Sequence, residues 1–298
     1  MKKTHSIFVP IIAMLVTSCN LFNKAPQPSS EIITSVDTNT QSSTSTTTSS
    51  IDMDALFKIG NATSKTTNKH IKQYYYDIDP YFNGEDFLSQ LRDLNKSKLV
   101  TRVGYDDMWK YYGQTDYFSK PFSGTSGQFS AYYKGTSASK GSMNKEHVWP
   151  ASRTVGGRGN DPLEDDIHMV RPTLVSDNSD RGNSLFAESG AWDPASLGHP
   201  EFRGDAARIV FYCVITDSRL GLLDVANTTS ANHMMGKLSD LLKWNLEYPV
   251  AQREMNRNDG VEANTPQKNR NPFIDHPSYA CKIWGGTNAD TKSICGMN

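Results

Sequence analysis

The sequence predicts an α+β domain that is mostly helical, with a small sheet. Three observations lead to this class. Several segments repeat apolar residues at helical spacing, short stretches of strand character stand near the middle of the chain, and there is no internal repeat or heptad pattern. The middle of the chain has the order strand, long loop, strand, short helix.

Three segments carry the helical pattern most clearly. In "DFLSQLRDLN", residues 86–95, the apolar positions share one face and follow a Gly-Glu-Asp start. The segments "GDAARIVFYCVI" and "MGKLSDLLKWNLEY" show the same period. We expect all three to be packing helices.

The strand predictions concern three short stretches. Two of them are Tyr132 with Tyr133, and Val148 with Trp149. The third is "DIHMVRP", which alternates in character and ends at Pro172. Helix-like spacing then begins in "TLVSDNSDRGN", and a glycine stands at its end.

The N-terminal part differs from the rest in composition. Residues 1–19 have a basic start and an apolar run too short to span a bilayer, which predicts an export signal. The run ends in "VTSC", which resembles a bacterial lipobox with Cys19 as the lipidated residue. An ordinary secretion signal with an incidental cysteine is the alternative. Both predict an exported protein, either lipid-anchored at the cell surface or secreted.

Two further segments follow the predicted signal. Residues 20–50 are rich in Ser and Thr and have too little apolar surface to offset the entropy of ordering them, so we expect a flexible tether. Residues 51–298 have the composition and length of a single domain with a sizeable core.

Three cysteines remain in the predicted domain. Cys281 and Cys295 could close a short disulfide loop, and Cys213, within "IVFYCVIT", is expected to be a buried thiol. Three free thiols are the alternative. The formal net charge of −1 gives no overall attraction to nucleic acid, so a site for a polyanion must be a local cluster of cations.

The stretch "NKEHVWP" places Glu146 beside His147, and in a strand such neighbours point to opposite faces. Hydrolysis of a phosphodiester needs a nucleophilic water, a divalent cation on the phosphate oxygens and help for the leaving alkoxide. A neutral imidazole can take the proton from water, and a carboxylate can hold Mg²⁺. Asn178, in the predicted short helix, can add a second oxygen ligand.

Four motifs in order, "NKEHVWP", "DIHMVRP", "DNSDRGNSLF" and "NRNPFIDHP", resemble the bacterial endonuclease I family of exported nonspecific nucleases. That family is built around the ββα-metal, or His-Me finger, motif. The resemblance runs from about Tyr75 to Trp284 and includes "RGDAARIVFY". It implies a nuclease domain with the ββα-metal motif in its small sheet.

The resemblance implies a role for four residues. His147 is the expected general base, and Glu146 and Asn178 are the expected ligands of one Mg²⁺, with Ca²⁺ or Mn²⁺ as alternatives. An arginine is expected to brace the phosphate, and "VGGRGND" makes Arg158 the candidate, with a solvated loop arginine as the alternative.

Four more residues are expected around this centre. Arg181 and Asn183, in the "DRGN" turn, are expected to touch phosphate or to cap the helix. Asp166 and His168 are expected on the second strand, where they would support the site without taking part in the chemistry.

The implied function is a metal-dependent nonspecific endonuclease that acts on extracellular DNA, and on RNA as well, and leaves 5′-phosphate ends. DNA and RNA are the expected partners, no obligate protein partner is inferred, and the lipid anchor is the expected membrane contact. Two other functions stay open. One is a lipid-anchored receptor that binds nucleic acid without cutting it, and the other is a phosphodiesterase of small nucleotides.

Overall fold

The structure is a computed structural model that describes residues 68–229 and 232–297. The predicted signal, Cys19 and the predicted tether lie outside the described residues. The helices of the described part are α1 Asn68–Tyr74, α2 Gly84–Lys98, α3 Trp109–Thr115, α4 Val175–Arg181, α5 Phe202–Thr216, α6 Leu238–Glu247, α7 Gln252–Asn264, α8 Pro272–Asp275, α9 Tyr279–Trp284 and α10 Ala289–Ile294. The strands are β1 Phe129–Ser130, β2 Ser137–Ala138, β3 Met143–His147, β4 Val170–Leu174, β5 Gly221–Leu222 and β6 Met234–Met235.

The predicted α+β class is confirmed, because helices predominate and the described strands form three two-stranded sheets. The three predicted packing helices are present as α2, α5 and α6. Helix α5 is buried on nearly all sides and packs against α2, α6 and α8. It therefore forms the centre of the core around which the other helices are arranged.

The sheet that matters most for the site pairs β3 with β4 in antiparallel register, with Glu146 opposite Arg171 and His147 opposite Val170. Residues 148–169 connect the two strands, and α4 begins directly after β4. The predicted order of strand, long loop, strand and short helix is thus confirmed. It brings β3 against the helix that carries Asn178.

Three details of the strand prediction are wrong. Tyr132 and Tyr133 lie between β1 and β2, where Tyr132 forms an isolated bridge with Thr173 and Tyr133 is part of a turn. Val148 and Trp149 follow β3, because Trp149 turns into the core, where it is fully buried. Asp166 and His168 precede the second strand, because the amides of Met169 and Val170 both donate to the Asp166 carbonyl and close a turn there. Strand β4 begins only at Val170.

The state of the three cysteines, which the sequence left open, is seen in the structure. Cys281 and Cys295 form a disulfide that joins α9 to the end of α10, and Cys213 is a buried free thiol, as predicted. Along residues 68–229 and 232–297, no helix has the length and apolar character needed to cross a membrane.

Candidate active site

Glu146 is a buried carboxylate, with 1% of its surface exposed. Its Oε1 accepts a hydrogen bond of 2.8 Å from the Tyr133 hydroxyl and lies 3.5 Å from Nε of Arg181. Burial raises the pKa of Glu146 to about 6, although the charge of Arg181 and the bond from Tyr133 act in the opposite direction. A divalent cation beside Glu146 would favour the ionised carboxylate.

His147, the next residue, is 8% exposed and has different neighbours. Its ring stacks on Tyr105, with 5.1 Å between ring centres, and its Nε2 lies 3.5 Å from a carboxylate oxygen of Glu164. Burial, followed by the positive charges of Arg158, Arg181 and Lys145, lowers the pKa of His147 to about 4. The imidazole is therefore neutral at neutral pH and able to accept a proton.

Nε2 of His147 is also buried without a hydrogen-bond partner among the described residues. Buried polar nitrogens are usually paired, so an unpartnered one at this position needs a reason. A water or a substrate atom in the site would supply the missing partner.

Asn178 is fastened to the strand that carries both of these residues. Its amide nitrogen donates a 2.8 Å bond to Oδ1 of Asn144 and a longer one, 3.4 Å, to the Lys145 carbonyl. Both bonds use the nitrogen of the amide. The remaining atom, Oδ1, is the one that suits a hard cation.

Arg181 lies inside the protein, with 1% of its surface exposed. Its guanidinium donates to the carbonyls of His147 (3.2 Å), Val148 (2.5 Å) and Gly182 (3.1 Å), and it packs over the Phe186 ring. These bonds join the end of β3 to the end of α4. The contacts of Arg181 are thus internal ones that hold the two elements carrying Glu146 and Asn178 together.

Replacing Arg181 by methionine is expected to lower the free energy of unfolding by about 3–5 kcal/mol, because the buried carboxylate of Glu146 loses its cation. Urea unfolding of both proteins at pH 7 would measure the loss. Arg219→Met is the matched control, since the Arg219 side chain is 55% exposed in its ion pair with Asp217 and should matter far less. Equal losses in the two variants would contradict the structural role given to Arg181.

Arg158 and Asn183 are both exposed. Arg158 lies in the loop between β3 and β4. Of the charges that lower the pKa of His147, that of Arg158 has the largest effect, which places it near the imidazole. Asn183 follows α4, and its carbonyl accepts a 3.3 Å bond from Arg153. Arg158 is therefore close to the centre and solvent-accessible, as a phosphate contact must be.

Asp166 and His168 belong to a buried polar network beside α5. Asp166 accepts bonds of 2.8 Å from the Tyr212 hydroxyl and from the Gln267 amide. Nε2 of His168 lies 3.1 Å from the carbonyl of Asn269, so this nitrogen must carry the proton that is donated. The contacts of both residues lie in the core, where they hold the turn that leads into β4.

The pH dependence of stability follows from His168. Burial lowers the pKa of His168 to about 3, below the value of about 6.5 expected in the unfolded chain. The unfolded state therefore binds the proton first, and the stability is present above pH 6.5 and lost as the pH falls towards 3. From this residue we expect a loss of about 2 kcal/mol between pH 8 and pH 5.

Urea unfolding at the two pH values measures this loss. In His168→Gln, whose amide can still donate to Asn269, the difference between pH 8 and pH 5 should shrink by a similar amount. An unchanged difference would show that the ring of His168 does not stay neutral in the folded protein.

Four residues at the site were not predicted, namely Tyr105, Tyr133, Lys145 and Glu164. Tyr133 bonds Glu146, and both Tyr105 and Glu164 contact the His147 ring. Lys145 donates a 2.7 Å bond to the Tyr105 carbonyl. Tyr105, Tyr133 and Glu164 come from three separate segments, so no local pattern marks them as neighbours of the motif.

The chemistry of the donor atoms indicates which metal would fit. In the part of the chain that the structure describes, no three His, Cys, Asp or Glu side chains form a group that could hold a metal ion. Glu146 and Asn178 instead offer one carboxylate and one amide oxygen. Such oxygen donors suit Mg²⁺ or Ca²⁺, which keep several water ligands, rather than zinc.

A buried carboxylate and a neutral imidazole on one strand, and an amide on the helix that follows its partner strand, form an arrangement that suits phosphodiester hydrolysis. The chain matches the family described as Endonuclease I over residues 83–278, and it belongs to that family. The resemblance inferred from the sequence motifs is therefore confirmed.

Two relatives are similar over long stretches. The chain is 40% identical over 162 residues to an extracellular ribonuclease of Bacillus amyloliquefaciens. The aligned stretch covers 49% of this chain and 55% of that protein. It is 32% identical over 243 residues to an extracellular ribonuclease of Bacillus subtilis (strain 168), covering 70% of this chain and 80% of that protein. The chain thus spans about half the length of the first relative and four-fifths of the second.

Proposed function

We propose that this protein is an exported, metal-dependent endonuclease that hydrolyses the phosphodiester bonds of RNA and DNA. The observation that carries the proposal is the position of a buried, neutral His147 next to Glu146, on the strand to which Asn178 is fastened. The names of both relatives, extracellular ribonucleases, support RNA as a substrate and export from the cell.

In the proposed reaction His147 takes a proton from the water that attacks phosphorus. The bond from phosphorus to the 3′ oxygen breaks and that oxygen takes a proton from a solvent water, so the products carry a 5′-phosphate and a 3′-hydroxyl. Glu146 and Asn178 would hold one Mg²⁺, which supplies charge neutralisation at the phosphate and at the leaving oxygen. Arg158, exposed and near the imidazole, would contact the phosphate through its guanidinium.

The proposed specificity is low, because the residues of this centre would grip phosphate and phosphate carries no direct sequence information. Lipidation at Cys19 would keep the enzyme at the surface of the exporting cell. Mass spectrometry of the N-terminal peptide separates a lipid-anchored protein from a secreted one.

Exhaustive chelation is expected to stop cleavage of both plasmid DNA and a long RNA, because it removes the cation that Glu146 and Asn178 would hold against the phosphate. Gel assays with EDTA, followed by addition of Mg²⁺, measure the loss and its recovery. Full activity in EDTA would remove the metal from the mechanism.

The same assays separate the other two functions. Binding of nucleic acid without cleavage in Mg²⁺, Ca²⁺ and Mn²⁺ would favour a receptor. Cleavage of a dinucleotide together with an intact long substrate would favour a phosphodiesterase of small nucleotides.

A further inference from the structure

One pocket, lined by residues that neighbour the candidate active site in the fold, is not used by the chemistry described above. Its volume is about 430 Å³, within the range of about 300–1,000 Å³ that is common for small-molecule sites. Its lining combines the aromatic rings of Phe118 and Tyr132 and the cations of Lys134 and Arg253 with the carboxylates of Asp116 and Glu201. Rings and cations in one concave site are the two components that bind single-stranded nucleic acid.

A chain of contacts links this pocket to Glu146. The rings of Tyr132 and Tyr133 have their centres 4.1 Å apart, and the Tyr133 hydroxyl donates to Glu146. Arg171, which lines the pocket, stands directly opposite Glu146 in the register of β3 and β4. The chain of contacts from the pocket to the carboxylate therefore runs through two rings, those of Tyr132 and Tyr133.

A second link leads to Asn178. The ammonium group of Lys134 lies 2.8 Å from Oδ1 of Asp177, the residue before Asn178 on α4. The Lys134 side chain keeps 27% of its surface exposed, and that of Arg253 keeps 32%. Both cations can therefore meet a phosphate group while they stay paired with buried carboxylates.

Phe118 is the most unusual residue of the lining. It is 49% exposed, whereas large apolar side chains in the described part of the chain are mostly buried. An exposed ring at the edge of a pocket that also contains lysine and arginine offers a face on which a base can stack.

We propose that this pocket is a subsite for an unpaired nucleotide adjacent to the phosphate that is cleaved. Its base stacks on Phe118, and its phosphate meets Lys134 and Arg253. The proposal rests on the proposed nuclease function, which supplies the polynucleotide. It adds a preference for single strands, because a base held in a duplex cannot enter a concave pocket.

Binding of a fluorescent single-stranded oligonucleotide, measured by anisotropy in the presence of EDTA, tests the subsite without any cleavage. Phe118→Ala should weaken binding by about five-fold or more, since stacking of a base on an aromatic ring is worth about 1–3 kcal/mol. Phe118→Trp should bind at least as tightly as the wild type. Phe82→Ala is the matched control, because Phe82 is 47% exposed and does not line the pocket.

A second oligonucleotide, in which the bases are replaced by abasic sites, separates stacking from a general disturbance of the fold. The wild type and Phe118→Ala should bind it equally. Equal binding of the normal oligonucleotide by Phe118→Ala and Phe82→Ala would overturn the subsite, as would the same loss for the abasic strand. Absence of cleavage by a wild type that still shows the Phe118 effect would overturn the nuclease function and leave the pocket as a nucleotide-binding site without a cleaved phosphate beside it.

Discussion

Replacing His147 by alanine is expected to lower kcat for RNA and DNA cleavage by about 10²- to 10⁴-fold, because the variant has no group to take the proton from the attacking water. The neutral state of the ring at neutral pH is the basis of this expectation, since a protonated imidazole could not act as a base. Initial rates at saturating substrate and Mg²⁺ would measure the effect.

The test of His147 needs a check of folding, because the side chain is buried and its removal leaves a space against Tyr105. Thermal unfolding and circular dichroism of the variant should show a folded protein, and its binding of oligonucleotide should persist. His199→Ala is a suitable control, since His199 is only partly buried and pairs with Glu201. A rate within a few-fold of the wild type would rule out His147 as the base.

Replacing Glu146 by glutamine is expected to lower kcat/KM by roughly 10²-fold or more and to weaken Mg²⁺ binding, because an amide holds a divalent cation less well than a carboxylate. The stability of the folded protein, in contrast, should not fall. Since the pKa of Glu146 is raised in the folded protein, folding favours the uncharged form that glutamine resembles. The free energy of unfolding at pH 7 in EDTA should therefore equal or exceed that of the wild type.

Glu164→Gln is the matched control for this experiment. Glu164 is also nearly buried and lies next to the His147 ring, but it is not one of the proposed metal ligands. Calorimetric titration with Mg²⁺ should give wild-type affinity for Glu164→Gln and a large loss for Glu146→Gln. Equal losses would mean that the cation responds to the overall negative charge of the region and that Glu146 has no special part.

Much of the fold follows from the sequence pattern. Helices α2 and α6 have an apolar stripe and a polar face that are visible at the level of periodicity, whereas α5 is marked by the continuous apolar run of residues 209–215. The ends of the strands were less predictable. Trp149 has high strand propensity, but burial in the core decides its position, and tertiary packing of this kind overrides local preference.

The candidate site, too, could be predicted from the sequence only in part. Glu146 and His147 are adjacent in sequence, and Asn178 lies on the helix that directly follows their partner strand, so one motif can place them together. The surroundings that set their protonation could not be predicted, because Tyr105 and Tyr133 reach them through tertiary contacts. Burial of Arg181 was not predicted either, since its partners are backbone carbonyls, which carry no sequence signal.

The most direct test of the central claim is the location of the cation. Crystals soaked in Mn²⁺ and measured at an anomalous wavelength should show one strong peak about 2.0–2.4 Å from both the Glu146 carboxylate and Oδ1 of Asn178. The peak should disappear in Glu146→Gln. An active wild-type protein whose Mn²⁺ peak lay elsewhere, with both side chains free of metal, would contradict the account.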